Sequence, residues 1–264
     1  VTAINALSKV RIEDGVLRLA VATDAKGTSL DIEGITQATT ALRQAGGDMG
    51  SVLLVGEGGN FCAGGNVRAF ASAERRGEFV GEVARVFHEF VRALDATTVP
   101  VVAGVHGWAA GAGMSIVCLA DIAIGGTSTM LRPAYPSIGF TPDGGMSWTL
   151  PRIVGIARAR EILLTDAVLN GEEAVRLGIL SRLVEDDQVQ EEALRVARTL
   201  AAGPTAAYAG IKSLFATGRT NTLSEQLDAE TASIAAAADS PTGREGVDAF
   251  AEKRRPDFSS IRPY

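Results

Sequence analysis

Short apolar runs separated by helix-period segments constrain this chain more than any other feature. VLRLAV (16–21), SVLLVG (51–56), PVVAGV (100–105), DIAIG (121–125) and ILSRLV (179–184) have strand length and carry few polar residues. Between them Phe79, Val83, Val86, Phe87, Phe90 and Leu94 recur at helical spacing, so 78–95 reads as an amphipathic helix. NGEEAVRLG (170–178) reads as a compact helix, capped by Asn170, with acids in its first turn and Gly178 as its stop. Strands alternating with helices up to about residue 185 define an α/β layered domain.

Beyond Asp187 the pattern turns helical. QVQEEALRVARTLAAG stops at Gly203, and Pro204 suits the first turn of PTAAYAGIKSLF. An Ala-rich helix covers 221–238, and Pro241 opens PTGREGVDAFAEKRRPDF. The expected division is a core over 1–200 and a helical region over 201–264. That region is either a cap on the core or a surface through which subunits associate.

The uncharged stretch 99–120 invites a membrane reading, since it is long enough to span a bilayer and holds a GxxxG pair at Gly107 and Gly111. Pro100, the further glycines at 104 and 113, the absence of flanking Lys or Arg, and the immediate return to apolar sequence after Asp121 oppose it. A buried strand, a glycine turn and a buried helix are expected instead. A net charge of -6 argues against a broad nucleic-acid footprint, while leaving room for local cations around a small anionic ligand. The two cysteines, Cys62 and Cys118, sit in apolar sequence, so no disulfide framework is expected and a reducing compartment is. VTAINALSK lacks the basic-then-apolar pattern of a secretory leader, and the expected location is the cytoplasm.

The chain has two histidines and no HExxH, CxxC, Walker or GxSxG motif, so no metal site or nucleophile elbow is expected. Two glycine-rich turns remain, NFCAGGN (60–66) and GWAAGAGMS (107–115), each following an apolar strand. Gly65 and Ala112 follow the Ala-Gly step in each, and Ala112 is expected to open a helix whose first N–H groups lack partners. Paired, the turns have the makings of an oxyanion hole; equally, glycines let two elements pack tightly, and spacing alone favours that plainer account. Asp143, in IGFTPDGGMSWTLPRIVG (138–155), is either a turn residue bonding its own backbone or a carboxylate in an apolar pocket suited to acid/base work.

NFCAGGN, then VPVVAGVHGWAAGAGMSIVCLADIAI with its closing AD-A, PRIVGIARAREILLT, NGEEAVRLGILSRLV and EGVDAFAEKRRPDF follow one another across nearly the whole chain. In this order they resemble the enoyl-CoA hydratase/isomerase (crotonase) superfamily. The resemblance implies an α/β fold, a crotonase-like spiral of ββα repeats with a C-terminal helical trimerisation region, assembled as a homotrimer or a dimer of trimers. It implies an acyl-CoA substrate, with coenzyme A as part of the thioester and no tightly bound cofactor. The thioester oxygen would accept from the N–H groups of Gly65 and Ala112. Lys26 and Lys253 would meet the CoA phosphates, Lys253 from a neighbouring subunit, with the backbone at Ala63 and Asn66 holding the adenine end.

The departures are informative. The two glutamates of the hydratases fall at Ser115 and Tyr135, whereas Asp143 falls where some isomerases of the superfamily carry their only acid/base. GWAAGAGMS, TPDGGMSWTLPR, GPTAAYAGIK and EGVDAFAEKRRP most resemble the phenylacetate-pathway isomerase group. The expected activity is therefore an acyl-CoA isomerase that shifts a double bond through an enolate, with Asp143 as acid/base. Alternatives are a hydratase-like activity, an aryl-CoA dehalogenase or hydrolase with Asp143 as nucleophile and His88 nearby, or a non-catalytic acyl-CoA-binding protein. Trp108, Tyr135, Phe140 and Trp148 are candidates for an aromatic pocket, and His106 is expected to be a packed core histidine.

Overall fold

A computed structural model describes residues 9–46 and 49–261. The chain starts with a hairpin, β1 (Val10–Glu13) and β2 (Val16–Ala22), turned at Asp14 and Gly15, both at positive φ as a two-residue hairpin loop requires. Then come α1 (Ile32–Gln44), β3 (Ser51–Gly56), α2 (Val67–Ser72), α3 (Arg76–Asp95), β4 (Val101–Val105), β5 (Trp108–Ala110) and α4 (Ala112–Val117). β6 (Ile122–Gly126), β7 (Met130–Arg132), α5 (Met146–Val154), α6 (Ile156–Leu164), β8 (Leu169–Asn170), α7 (Gly171–Arg176), β9 (Arg182–Val184) and α8 (Val189–Ala201) complete the layered part. α9 (Thr205–Thr217), α10 (Leu223–Asp239) and α11 (Pro241–Ala251) follow.

The larger sheet runs β1-β2-β3-β4-β6-β9, parallel except for the β1–β2 hairpin. Its central strands β3, β4 and β6 are apolar almost throughout because both faces are covered. Leu17, Leu19, Val52, Leu54 and Ala103 belong to one core cluster with Ile35 of α1 and Phe87 and Phe90 of α3. Val16, Ala20, Leu53, Val55 and Val102 belong to a second cluster with Ala193 and Ala197 of α8. Burying Phe87 and Phe90 almost completely contributes about 1.5–3 kcal/mol each.

A second sheet, β5-β7-β8, lies beside the first. β4 passes directly into β5 and then α4, and β6 into β7 and then α5, so successive strands feed the two sheets in turn before each helix. This is the expected ββα repeat. The stretch 99–120 contains the buried strand and helix, with the short strand β5 added between them. Among the described residues no helix is long and apolar enough to cross a membrane. Asn170 caps α7 through a reciprocal pair of bonds with Glu173.

One expectation needs correction. His106 is not a packed core residue: it lies just past β4, partly exposed, with Nε2 bonded to the Gly58 carbonyl (2.7 Å) and Nδ1 to Gln190 Nε2 (3.2 Å). Satisfied polar bonds at both ring nitrogens hold it at the sheet's polar end, where the apolar sequence around it gave no hint of them. Cys62 and Cys118 are free and buried, and burial pushes both thiols up to about 12, which keeps them protonated.

α9 is tied to the sheet by Lys212, which donates to Asp121 (2.6 Å) and to the Val99 carbonyl (3.2 Å). α9, α10 and α11 pack on one another and enclose an apolar groove of about 920 Å³ lined by residues such as Ile211, Leu227 and Ile234. Phe215 and Phe250 on the same helices are 72% and 87% exposed.

Candidate active site

The two glycine turns are hydrogen-bonded to each other. Phe61 N–H donates to the His106 carbonyl (2.8 Å), Cys62 N–H to Trp108 (3.1 Å) and Ala110 N–H to Cys62 (2.9 Å). Cys62 and Ala109 thereby form a parallel pair, and Gly65 and Ala112 stand the same three positions beyond it. Two chains travelling in the same direction from a shared register carry these residues forward side by side. Contact persists past the ladder, since a Cβ on Gly111, whose φ is +52°, would lie 3.6 Å from the Cα of Gly64. A Cβ on Gly113 would lie 2.2 Å from the Cys62 carbonyl oxygen, so α4 is seated directly on the first turn.

Ala112 opens α4, as expected. Among the described residues neither the Gly65 N–H nor the Ala112 N–H donates to a protein acceptor. The first turn is also fixed from behind: Ala63 N–H donates to Thr28 (2.8 Å), Leu30 N–H to Gly64 (2.8 Å), and Asn60 bridges Thr28 Oγ1 (3.1 Å) and Trp108 N–H (2.9 Å).

Asp143 lies on the turn before α5, half-buried. Its Oδ1 accepts from the Tyr135 hydroxyl at 2.7 Å, and its backbone carbonyl accepts from Ser115 Oγ at 3.0 Å. Ser115 Oγ, fully buried on α4, also lies 3.1 Å from the Tyr135 oxygen and 3.3 Å from the Gly111 carbonyl. Burial, together with the Asp143 charge, pushes the Tyr135 phenol well above its ordinary range, so it keeps its proton and donates. The next residue, Gly144, has φ +60°, and a Cβ there would meet Phe87 at 2.3 Å. Its N–H donates to His88 Nε2 at 3.2 Å. The ring nitrogen facing the turn is therefore occupied as an acceptor, which makes His88 a support of the Asp143 turn.

The Tyr135 segment has its own anchor. Asp166 receives Arg132 Nε (3.0 Å) and Nη2 (2.6 Å) on one oxygen and the Ala134 N–H (2.7 Å) on the other. Ala134 sits at φ +60°, a costly conformation for a residue with a side chain, held by these bonds. Burial works against the Asp166 charge, but the guanidinium and the backbone donor prevail and hold its carboxyl below the usual range.

These groups converge on a cavity of about 610 Å³ whose walls include Gly65, Ala112, Tyr135, Phe140 and Asp143, with Ala63 at its edge. Asp143 is the one carboxylate among the described residues lining it. An adjoining cavity of about 560 Å³ shares Leu30, Gly65, Phe70 and Val83 with it and reaches Lys26 and Asn66. The Asn66 side chain caps α2 by accepting from Ala69 N–H (3.1 Å). Besides His88, three candidates lie outside both cavities. Trp108, 39% exposed, does not line the cavity. Trp148 is also outside it, with Arg152 and Arg219 stacked 4.1 and 4.3 Å from its ring centre. Lys253, exposed just past α11, borders neither cavity.

Sequence reading missed Phe70, Phe87 and Arg76 as cavity residues. Phe70 stacks on Phe140 (6.2 Å between ring centres, 28° between planes), and Arg76 closes α2 by donating to the Phe70 (3.1 Å) and Ala71 (3.3 Å) carbonyls. Phe87 was legible only as part of a buried helical stripe, a stripe that serves core and cavity at once. Chemically, two unpaired amides can hold the oxygen of a carbonyl as negative charge grows on it, and a nearby carboxylate can move a proton on the adjacent carbons.

Comparison with known proteins agrees with this arrangement. The family model described as Enoyl-CoA hydratase/isomerase matches residues 11–261. The chain is 36% identical, over 84% of its length and 85% of the relative's, to a protein of Rhodobacter capsulatus named "Probable enoyl-CoA hydratase". It is 34% identical to the 1,2-epoxyphenylacetyl-CoA isomerase of Escherichia coli, covering 94% and 96% of the two chains. It is 29% identical to 4-chlorobenzoyl coenzyme A dehalogenase-2 of an Arthrobacter species, covering 91% and 88%. The solved enoyl-CoA hydratase of Polaromonas sp. JS666 superposes with a TM-score of 0.88 at 30% identity, over 94% of this chain and 98% of that one. The paired turns, the alternating two-sheet repeat and these matches lead to one assignment: the chain belongs to the enoyl-CoA hydratase/isomerase family, with the crotonase fold, and is an enzyme of CoA thioesters.

Proposed function

We propose that this enzyme is an acyl-CoA isomerase that moves a double bond in an enoyl thioester. The observation that carries this reading is that Asp143 is the one carboxylate, among the described residues, lining the cavity that also exposes Gly65 and Ala112. In the proposed cycle the thioester oxygen accepts both N–H groups, which acidifies the neighbouring carbon. Asp143 then takes a proton from the alpha or gamma position and returns it at the other end of the dienolate. Coenzyme A belongs to the substrate, and its phosphates face Lys26 in the adjoining cavity. Lys253 would reach them only from a neighbouring subunit. The exposed apolar helices α9–α11 support assembly with further copies of the chain, as a homotrimer or a dimer of trimers.

Hydration needs a second group to activate water, and Ser115 and Tyr135 are neutral hydroxyls already engaged in hydrogen bonds. A covalent route through Asp143, in the manner of a dehalogenase, needs a base to hydrolyse the ester, and His88 Nε2 is occupied by the Gly144 N–H. Incubating a β,γ-enoyl-CoA in heavy water tests the reading. Deuterium enters at the alpha or gamma carbon, and Asp143→Asn abolishes both exchange and isomerisation while CoA-ester binding persists. Oxygen from labelled water appearing in the Asp143 carboxylate, or full turnover by Asp143→Asn, overturns it.

A further inference from the structure

We propose that Tyr135 is a positioning and specificity-determining residue: by holding one oxygen of the Asp143 carboxylate, it restricts that group to carrying a proton between substrate carbons. The proposal rests on the reading of Asp143 as acid/base.

The hydroxyl of Tyr135 is 2.7 Å from Asp143 Oδ1, and the residue is 8% exposed on a turn pinned by Asp166. A phenol has one proton to give, and a carboxylate accepts it fully only when ionised. Ser115 donates no proton to either carboxylate oxygen: its hydroxyl faces the Asp143 carbonyl, the Gly111 carbonyl and the phenol oxygen. Among the described residues no group donates to Oδ2. The wiring thus ties Oδ1 to the phenol and leaves Oδ2 as the carboxylate oxygen with no donor among the described residues.

The proton count closes without another reactant. The substrate C–H bond breaks, its electron pair enters the dienolate held at Gly65 and Ala112, and an O–H bond forms at Oδ2. That O–H then breaks, the proton goes to the other terminus of the dienolate, and the carboxylate is restored with Tyr135 still donating to Oδ1. Hydration would instead need a water held between Oδ2 and the beta carbon, and the two hydroxyls that contact Asp143, those of Tyr135 and Ser115, are already bonded to it and to each other.

Tyr135→Phe isolates the effect. It removes one oxygen at nearly constant shape, and Ser115 keeps the Gly111 and Asp143 carbonyls as acceptors, so no buried donor is orphaned. Isomerisation of a β,γ-enoyl-CoA is followed against pH for wild type, Tyr135→Phe and Asp143→Asn. For Tyr135→Phe the expected result is a fall in kcat of about 10- to 100-fold with KM changed less than about 3-fold. The acid limb of kcat also moves to higher pH, because a carboxylate that loses a donor is protonated more readily. Incorporating 3,5-difluorotyrosine at position 135, a stronger donor of similar size, moves that limb the opposite way, and this holds the test open should the phenylalanine variant fold poorly. An unmoved acid limb in a folded variant overturns the proposal, whether or not kcat falls, provided Asp143→Asn is inactive. Activity in Asp143→Asn instead overturns the isomerase reading itself.

Discussion

Gly113→Ala probes how the two amides are held together. A Cβ at this position would lie 2.2 Å from the Cys62 carbonyl oxygen, more than 1 Å inside an ordinary contact of 3.4 Å, and 2.9 Å from the Cys62 Cβ. Cys62 cannot retreat, because its N–H and carbonyl are both committed to the ladder with Trp108 and Ala110. α4 is six residues long and buried throughout, so it is α4 that must lift, taking the Ala112 N–H away from Gly65. Overpacking of this kind costs about 1–3 kcal/mol of stability. Losing one oxyanion donor costs about 10²–10³ in kcat, or about 2.7–4 kcal/mol of transition-state stabilisation. The assay is steady-state isomerisation alongside thermal melting, with Gly59→Ala as control, since a Cβ there would meet nothing within 4 Å. The expected outcome is a large loss of kcat with a folded protein and a nearly silent control. A folded Gly113→Ala enzyme within a few-fold of wild type would show that the turns are not held in register by this contact.

Two further outcomes are expected. Asp166→Ala removes the anchor of Arg132 and Ala134 and should destabilise the protein by about 1–3 kcal/mol in urea titration, toward the lower end because Arg132 is partly exposed. Since the folded-state carboxyl of Asp166 lies below its unfolded value, its contribution is complete above about pH 5 and is lost as pH falls below about 4; a gap between wild type and variant that stays constant through that window contradicts the assignment. Phe215→Glu combined with Phe250→Glu, at side chains 72% and 87% exposed, should lower the sedimentation coefficient toward that of a single chain; an unchanged value removes these helices from the proposed subunit contact.

The helical and strand periods were legible because burial decides them locally: the run VLLVG of β3 is apolar at every position since α8 covers one face of β3 and α1 and α3 lie over the other. β5 and β7, only three residues each, carry too few side chains for a period to emerge. At the site, Gly65 and Ala112 were identifiable as small residues following strands, but their juxtaposition depends on the Cys62–Ala109 pairing between segments more than forty residues apart, which no local pattern encodes. Asp143 was identified first as a turn carboxylate among apolar neighbours, and Tyr135 only through family resemblance. Their hydrogen bond was not, because it requires the Asp166 anchor to turn Ala134 into a positive φ. Trp108 was nominated as one of several aromatics, yet it lies outside the cavity and is 39% exposed.

The carbonyl grip is made of peptide groups, which every amino acid except proline supplies. Evolution can displace such a grip but can hardly delete it by exchanging side chains. On the proposed reading, the reaction is then chosen by whatever stands at positions 115, 135 and 143, where single substitutions exchange acids for hydroxyls without disturbing the handle. A scaffold divided in this way lets new chemistries be tried while the activated thioester is still held, so the catalytic repertoire can drift faster than the fold beneath it.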